Sequence, residues 1–579
     1  MIIDKVSYPK DLKNLTIDEL NQLASEIRTI LITKLNKTGG HLAPNLGMVE
    51  ATIAMHYIFD CPKDKVVFDI SHQSYVHKIL TGRKDGFIDE KNYKKYTTFT
   101  NPEESEYDML KTGHSSVSIS FASGLAKARD INKEKYNIIT VIGDGAMTGG
   151  QAYEGLNNAG TFKSNFIILL NDNEWSIAEN NGSLVKHLSN LRKSNGKCEN
   201  NLFKALGFDY YYVENGHSIS DLIEAFKKVK DIEHPVVVHF HTIKGKGYEK
   251  AEKDPEHYHG ILPGDKPRIP PGTENYLTIT REYLLNEIKK GNNIVVVSAA
   301  TPLYSGLEPS IRKELGENYH DVAIAEQDGV SFISGMAKNH AKPVLYVAST
   351  FMQRAYDQLL QDLALNKNPA TILVTGGGIN SASDTHLGLF DIPLITSIPD
   401  FTYLNPTCKE EYLKMLNYSI NINKQGPIAI RIPSKGLVIS NIEDNTDYSI
   451  KNKFKLIRKG TKVAFIGLGS MFKLANEAFE ELKIKGVEGT LINPVFASGL
   501  DKDLLNELKK DHKIVVCIED GSLEGGFGQR IAGFYGDSNV KVLLYGALKE
   551  FNNCVPMDEL IERYRLRKDL IVEDMMKLI

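Results

Sequence analysis

The stretch from Ile138 to Trp175 constrains the fold more than any other part of the chain. One apolar run, Ile138–Ile142, ends at Gly-Asp-Gly (143–145), and another, Phe166–Leu170, ends at Asn-Asp-Asn (171–173). A segment of helical composition with small residues lies between them. This pattern predicts two parallel strands of one sheet, whose carboxyl ends lie at the same edge. Because parallel sheets bind ligands at that edge, both polar clusters are candidate ligand sites.

The two polar clusters offer matching chemistry. Asp144 supplies an anionic oxygen, Asn173 supplies a neutral amide oxygen, and the glycines beside Asp144 let the backbone approach a ligand closely. A few hard oxygen donors suit Mg²⁺, which keeps several waters and completes its shell with phosphate oxygens. Gly-Asp-Gly alone is a common turn, but together with Asn-Asp-Asn at the next strand end it favours a magnesium site.

Length and composition exclude several classes of protein. A chain of 579 residues predicts about two to four domains. The net charge of −4 gives no basic footprint for nucleic acid, and no apolar run has the length of a membrane span. Five isolated cysteines favour neither disulfides nor a zinc site, and with no signal-peptide pattern they predict a cytoplasmic protein. A P-loop sequence is also missing.

Three polar segments before this stretch are further candidates. His41 lies in a Gly-rich turn before a predicted helix, and His72 follows the predicted strand Val66–Ile70. His77 is expected to pack on the next helix. The segment Gly113-His114-Ser115 precedes another small-residue helix, where it is either an anion site or a simple serine cap.

In this order, five segments resemble the 1-deoxy-D-xylulose-5-phosphate synthase family, which is a transketolase-related family of thiamine-diphosphate enzymes. The segments are GGHLAPNLG (39–47), SHQSYVHKILTGR (71–83), GHSSVSIS (113–120), VIGDGAMTGG (141–150) and LNDNEWSIAEN (170–180). The resemblance implies a homodimer that contains thiamine diphosphate and Mg²⁺ and works in isoprenoid and thiamine precursor biosynthesis. Its substrates would be pyruvate and D-glyceraldehyde 3-phosphate.

The resemblance also implies the fold, which is three consecutive parallel-sheet α/β domains of the transketolase-like, thiamine-diphosphate-binding type. Residues 1–262 would bind the diphosphate and Mg²⁺, 274–445 would bind the pyrimidine, and 454–579 would form the C-terminal domain. A Pro-rich linker is predicted at 263–273.

Residue roles follow from the same resemblance. The metal ligands would be Asp144, Asn173 and the carbonyl of Trp175. The catalytic residues would be Glu326, which bonds N1′ of the aminopyrimidine, and His41, His72 and His259. Cofactor-binding residues would be His72, Gly113, His114, Ser115, Gly145, Ala146, Asn173, Tyr248, Glu326 and Phe351. Substrate-binding residues would be Arg354, Asp384, His386 and Arg431.

Apolar runs predict the remaining strands. They are Pro235–His241, Ile294–Ala299, Val322–Ala325, Val344–Ala348, Thr371–Thr375, Ile428–Ile432, Val463–Gly467, Gly489–Asn493, Ile514–Ile518 and Val540–Tyr545. The segment between Asn173 and Pro235 is polar and is expected to be irregular. The Gly-Leu-Gly-Ser sequence at 467–470 is too incomplete to indicate a dinucleotide site.

Two positions depart from the family pattern and leave alternatives open. Ala348 stands where the family usually has a tyrosine, and Gly376–Gly378 stand where it usually has Arg-Ala-Gly. One alternative is therefore a synthase-like paralogue, or a transketolase, with another acceptor or donor. A further alternative is a thiamine-binding protein without turnover. The loop at 379–386 is one residue shorter than usual, which leaves the register of Asp384 open.

Overall fold

A computed structural model describes residues 1–270, 272–434 and 436–579 of the chain. Residue 271, within the predicted linker, therefore lies outside the described residues. The chain divides into two compact units. The first holds the chain before Gly272 together with Ala323–Ala325, and the second holds the remainder.

The first unit is built on a five-stranded sheet whose paired strands are all parallel. Its strands are β1 (Lys65–Phe68), β2 (Ile138–Gly143), β3 (Phe166–Asp172), β4 (Asp209–Val213) and β5 (Pro235–His241), in the order β1-β2-β3-β5-β4. Gly143 pairs with Asn171, so the ends of β2 and β3 coincide as predicted. β3 is buried along its whole length, which fits a parallel sheet covered on both faces.

Helices cover this sheet. The longer ones are Ile17–Thr38, Val49–Ile58, Ser118–Ile131, Gly150–Ala159, Ser183–Lys193 and Ile219–Val229. The helix Ile17–Thr38 begins with a capping box, since the N–H of Glu19 donates to Thr16 Oγ1 and the N–H of Thr16 donates to Glu19 Oε2.

The prediction of an irregular segment between Asn173 and Pro235 was wrong. This segment contains the helices Ser183–Lys193 and Ile219–Val229 and the strand β4. The first helix buries Leu188 and Leu191, whose spacing puts them on one face. The many Ser, Asn and Lys residues on its other face hid this apolar stripe.

The second unit contains two sheets, the first of which has six strands with parallel pairing throughout. Its strands are β6 (Ile294–Ser298), β7 (Tyr319–Asp321), β8 (Lys342–Ala348), β9 (Thr371–Thr375), β10 (Thr402–Leu404) and β11 (Ile428–Arg431), in the order β10-β11-β9-β8-β6-β7. Its longer helices are Tyr276–Lys289, Pro309–Leu315, Glu326–Lys338 and Lys409–Asn417. The predicted strand Val322–Ala325 was wrong, because β7 ends at Asp321 and Ala323 takes a left-handed φ of 62°.

The other sheet of this unit has five strands. They are β12 (Lys455–Arg458), β13 (Lys462–Gly467), β14 (Gly489–Asn493), β15 (His512–Ser522) and β16 (Lys541–Ala547), in the order β12-β14-β13-β15-β16. β12 is an antiparallel edge strand that the sequence analysis missed. The longer helices are Phe472–Ile484, Lys502–Leu508, Phe527–Phe534, Met557–Arg563 and Lys568–Met576.

The three sheets confirm the predicted fold class of consecutive α/β domains with parallel sheets. The proposed domain boundaries stay a prediction. Among the described residues, no helix has both the length and the apolar character needed to cross a membrane.

Candidate functional site

Asp144 lies directly after β2 and is only 3% exposed. Its Oδ2 accepts hydrogen bonds from the Glu174 N–H at 2.6 Å and from Asn180 Nδ2 at 3.0 Å. Burial, together with the charge of Asp172, raises the pKa of Asp144 well above its usual value. A cation bound here would lower this pKa again, because it favours the ionised carboxylate.

Asn173 and Trp175 form a turn directly after β3. The N–H of Trp175 donates to Asn173 Oδ1 at 3.0 Å, and Glu174 between them has a left-handed φ of 67°. The hydrogen bond from Glu174 to Asp144 joins this turn to the end of β2. The structure therefore brings together the three residues predicted as metal ligands.

Gly145 provides a close backbone approach beside Asp144. A Cβ at this position would lie 2.7 Å from the Cβ of Ser176 and 3.2 Å from Asn180 Oδ1. A larger residue would therefore displace the turn that follows β3. The next residue, Ala146, accepts a hydrogen bond at its carbonyl from Ser116 Oγ at 2.7 Å.

The segment Gly113-His114-Ser115 is anchored to the same sheet edge. Asp69, just after β1, accepts hydrogen bonds from the N–H groups of Ser116 at 2.7 Å and Ser118 at 2.9 Å. Through Ser116 the segment also contacts Ala146. The carboxylate therefore caps the start of the helix Ser118–Ile131 and places the predicted diphosphate-binding residues close to Asp144.

His41, His72 and His259 form one cluster in the first unit. Their ring centroids are 5.3 Å apart for His41 and His72, 5.7 Å for His41 and His259, and 5.2 Å for His72 and His259. Asn45 Nδ2 donates to the carbonyls of His41 and His72, at 2.7 and 2.8 Å. Burial holds the pKa of His259 well below its usual value, so this imidazole is neutral at neutral pH.

Tyr248 and His77 also lie in the first unit, and the place of Tyr248 in the cofactor pocket stays a prediction. Tyr248 precedes the short helix Glu249–Lys253, and its ring meets Tyr258 edge to face at 5.6 Å. His77 is fully buried and hydrogen-bonds Asp108 at 2.8 Å and His56 at 2.9 Å, which confirms its predicted packing role.

Lys244 is a residue that the sequence analysis missed. It lies after β5, is 3% exposed, and donates from Nζ to the carbonyl of Ser176 at 2.5 Å. Burial lowers the pKa of Lys244 to about 7, although the charge of Asp144 opposes this shift. The available signal was a lysine at the carboxyl end of a buried strand, where a cation can meet an anionic ligand.

In the second unit, Glu326 begins the helix Glu326–Lys338 and is 4% exposed. Burial raises the pKa of this carboxyl group, although Arg354 lies with Nη1 at 3.4 Å from Oε2.

Phe351 contacts His386 edge to face, with ring centroids 5.7 Å apart. Burial lowers the pKa of His386 to about 4. The half-buried Asp384 precedes His386 by two residues.

The oxygen donors at Asp144, Asn173 and Trp175 suit magnesium better than a transition metal. The part of the chain that the structure describes holds no group of three or more His, Cys, Asp or Glu side chains able to bind a metal. The set at Asp144, Asn173 and Trp175 instead offers one carboxylate, one amide oxygen and one carbonyl. These hard oxygens fit Mg²⁺ that is shared with a diphosphate, and the cation of Lys244 suits the same diphosphate.

Comparisons with known proteins show which family the chain is similar to. A model described as 1-deoxy-D-xylulose-5-phosphate synthase matches residues 3–200 and 193–242. The pyrimidine-binding and C-terminal domain models of transketolase match residues 275–438 and 452–569. The synthases of Clostridium botulinum (strain Alaska E43) and Clostridium acetobutylicum are each 38% identical to this chain, with 95% of both chains covered. The chain belongs to the 1-deoxy-D-xylulose-5-phosphate synthase family.

One solved structure of lower similarity is the transketolase from Campylobacter jejuni. It is 18% identical, with a TM-score of 0.45, and the match covers 97% of this chain and 100% of that chain.

The glycines at 376–378, where the family usually has Arg-Ala-Gly, form a tight connection after β9. Gly376 and Gly378 have left-handed φ values of 65° and 107°, and Gly378 pairs with Gly388 in an isolated antiparallel bridge. A Cβ at Gly388 would lie 2.1 Å from the carbonyl oxygen of Gly376. The two segments therefore pack backbone to backbone, and this region carries no side chain where the family usually has arginine.

Arg431, the arginine that does match the family, lies in a buried ion cluster. Its Nε donates to Asp391 Oδ2 at 2.7 Å, and its Nη1 pairs with Asp520. The Tyr403 hydroxyl donates to Asp391 at 2.5 Å. Two carboxylates therefore share the charge of Arg431, and its role toward the substrate phosphate stays a prediction.

Proposed function

We propose that this protein joins pyruvate to D-glyceraldehyde 3-phosphate, with loss of CO₂, to give 1-deoxy-D-xylulose 5-phosphate, a precursor for isoprenoids. The observation that carries the proposal is 37–38% identity, over nearly the whole chain, to curated synthases of this name. The oxygen donors at Asp144 and the histidine cluster support it independently, because they are the groups that such an enzyme needs.

Thiamine diphosphate, when bound, supplies the electron sink for the carbanion left by decarboxylation. Asp144, Asn173 and the carbonyl of Trp175 would hold Mg²⁺, which would offset the negative charge of the diphosphate. Other residues would bind the diphosphate itself through backbone N–H groups, hydroxyls, imidazoles or the ammonium group. They are His72, Gly113, His114, Ser115, Gly145, Ala146 and Lys244.

Glu326 and Phe351 would bind the aminopyrimidine of the cofactor, with Tyr248 also in the cofactor pocket. Glu326 lies at the start of a helix in a buried position, and burial raises the pKa of its carboxyl group, so it would hold a proton for a hydrogen bond to a ring nitrogen of the cofactor. Phe351 offers an aromatic face for stacking.

His41, His72 and His259 would orient the substrates and move protons at their reacting oxygens. Imidazole suits this task because its ordinary pKa is near neutral pH. Burial lowers the pKa of His259, so its imidazole stays neutral at pH 7 and would serve to hydrogen-bond a substrate oxygen rather than to take up a proton. Arg354, Asp384, His386 and Arg431 would contact the acceptor substrate.

We further propose that the protein is a cytoplasmic homodimer. Both properties are those that the family resemblance implies. Light scattering of the purified protein tests the oligomeric state, and a mass of twice 64.6 kDa is expected.

Product identification tests the proposed activity. The protein is incubated with pyruvate, D-glyceraldehyde 3-phosphate, thiamine diphosphate and Mg²⁺, and the product is examined by mass spectrometry and NMR. We expect 1-deoxy-D-xylulose 5-phosphate, and none in a sample treated with a metal chelator. A protein that binds the cofactor but forms no such product would contradict the proposal.

Lys244→Met is expected to weaken thiamine diphosphate binding about ten- to a hundredfold, which is the range for loss of a hydrogen bond to a charged group. Methionine fills a similar volume but offers no charge to the diphosphate. Lys250→Met is the matched control, since Lys250 is an exposed lysine six positions further along the chain. Isothermal titration with thiamine diphosphate and Mg²⁺ measures both variants, and equal affinities would refute a role for Lys244.

A further inference from the structure

Arg192 contacts both residues that flank the predicted metal ligand Asn173. Its Nη1 pairs with Asp172 and its Nη2 pairs with Glu174. The Arg192 side chain is 11% exposed and that of Asp172 is 1% exposed. Arg192 lies on the helix Ser183–Lys193, so one guanidinium group ties this helix to the turn after β3.

Asp172 is held from a second side. His239 Nε2 lies 2.9 Å from Asp172 Oδ2, and the Tyr210 hydroxyl lies 2.7 Å from His239 Nδ1. The same oxygen of Asp172 therefore meets both Arg192 and His239. These contacts hold Oδ2 of Asp172, while its Oδ1 accepts a hydrogen bond from the Glu174 N–H at 3.3 Å, so Asp172 is tied to the same turn.

Glu174 is the strained residue of this turn. Its left-handed φ of 67° is uncommon for a residue other than glycine. Its N–H donates to Asp144 Oδ2 at 2.6 Å, its carbonyl accepts from the Asn180 N–H at 3.0 Å, and its side chain pairs with Arg192. Strain of this kind persists only where the surroundings hold the backbone in place.

We propose that Arg192 is a positioning residue, which holds the turn from Asp172 to Trp175 in the shape that presents the oxygens of Asn173 and Trp175 next to Asp144. The inference rests on the proposed function, because it assumes that these oxygens bind Mg²⁺ and, through it, thiamine diphosphate. A turn that is already in its binding shape loses less conformational entropy when the cofactor binds.

Electrostatics alone predicts the opposite effect. Arg192 is a cation close to a cation site, so its removal would strengthen Mg²⁺ binding if charge were its only contribution. A purely structural role would lower stability without changing cofactor affinity. Weaker binding in a folded variant is therefore specific to positioning.

Trp175 provides the readout, because it is the only tryptophan in the chain and lies in the turn itself. MgCl₂ is titrated into protein that contains thiamine diphosphate at a fixed concentration, and Trp175 fluorescence gives the dissociation constant for Mg²⁺ without any turnover. The variants are Arg192→Leu, Arg192→Lys and the control Arg129→Leu. Arg129 is another buried arginine of the first unit, which hydrogen-bonds Asp130, Ser164 and the carbonyl of Tyr136.

We expect the dissociation constant to rise about tenfold or more in Arg192→Leu, the lower end of the range for loss of groups that orient metal ligands. Lysine at 192 keeps the charge but cannot reach both carboxylates, so it is expected to restore part of the affinity. Arg129→Leu is expected to lower the melting temperature and leave the dissociation constant unchanged.

Unchanged or tighter binding in folded Arg192→Leu would overturn the inference. If that variant does not fold, Glu174→Gln is tested instead, since it removes only the charge of the half-exposed partner of Arg192. A rise of about threefold in the dissociation constant supports the inference, and no change overturns it. Wild-type protein that shows no binding at all would overturn the proposed cofactor, and this inference with it. The two failures are therefore distinguishable.

Discussion

Replacing Glu326 with glutamine is expected to lower kcat about 10²–10⁴-fold, the range for loss of a general acid–base group. The side chain is buried at the start of its helix, where burial raises its pKa. Glutamine keeps the volume and one oxygen but cannot exchange a proton with the aminopyrimidine. The loss is therefore expected in kcat, with the folded structure retained.

Asp328→Asn is the matched control for this variant. Asp328 lies on the same helix, two residues later, and is exposed to solvent. Steady-state rates with pyruvate and D-glyceraldehyde 3-phosphate compare the two variants, and thermal unfolding confirms that both are folded. Turnover of Glu326→Gln within a few-fold of the wild type would remove Glu326 from the proposed catalytic residues.

Asp144→Asn is expected to weaken binding of thiamine diphosphate with Mg²⁺ by at least about a hundredfold. Loss of groups that only orient metal ligands costs 10–100-fold, and Asp144 is the sole carboxylate in the proposed donor set. The amide oxygen can still accept the hydrogen bonds from Glu174 and Asn180, but it brings no negative charge to the cation.

The Asp144→Asn variant should be at least as stable as the wild type, although it binds the cofactor more weakly. The pKa of Asp144 is raised by burial, so the ionised form costs folding free energy at pH values above its unfolded pKa. An uncharged amide removes this cost, and we expect an equal or higher melting temperature at pH 7.5 without cofactor. A variant that loses binding because it unfolds would show a lower melting temperature instead.

Asp209→Asn controls for the loss of one carboxylate from the same sheet. Asp209 begins β4, is exposed, and lies at the edge opposite the carboxyl ends of the strands. Trp175 fluorescence titration gives the affinity of each variant for thiamine diphosphate at fixed MgCl₂. Wild-type affinity in Asp144→Asn would contradict the proposed metal site.

Much of the fold was predictable because its strands are buried on both faces. Phe166–Leu170 is apolar throughout, and Pro235–His241 is apolar except for two histidines, so their limits stand out from the sequence. The helix Ser183–Lys193 was missed because only a narrow stripe of it is apolar. The short edge strand β12 is mostly exposed and has no such run.

The site was predictable where function depends on position along a strand. Asp144 and Asn173 follow strand ends, and the register of β2 and β3 brings those ends together. Partners that come from distant parts of the chain gave no such signal. The tertiary fold brings Asp172 into contact with Arg192 and His239. It likewise brings Arg431 into contact with Asp391 and Asp520.

The most direct test of the central claim is the release of CO₂ from labelled pyruvate, measured with and without D-glyceraldehyde 3-phosphate. The account predicts release that requires both thiamine diphosphate and Mg²⁺ and rises strongly when the aldehyde is added. Release that ignores the aldehyde, or no release under any of these conditions, would contradict it.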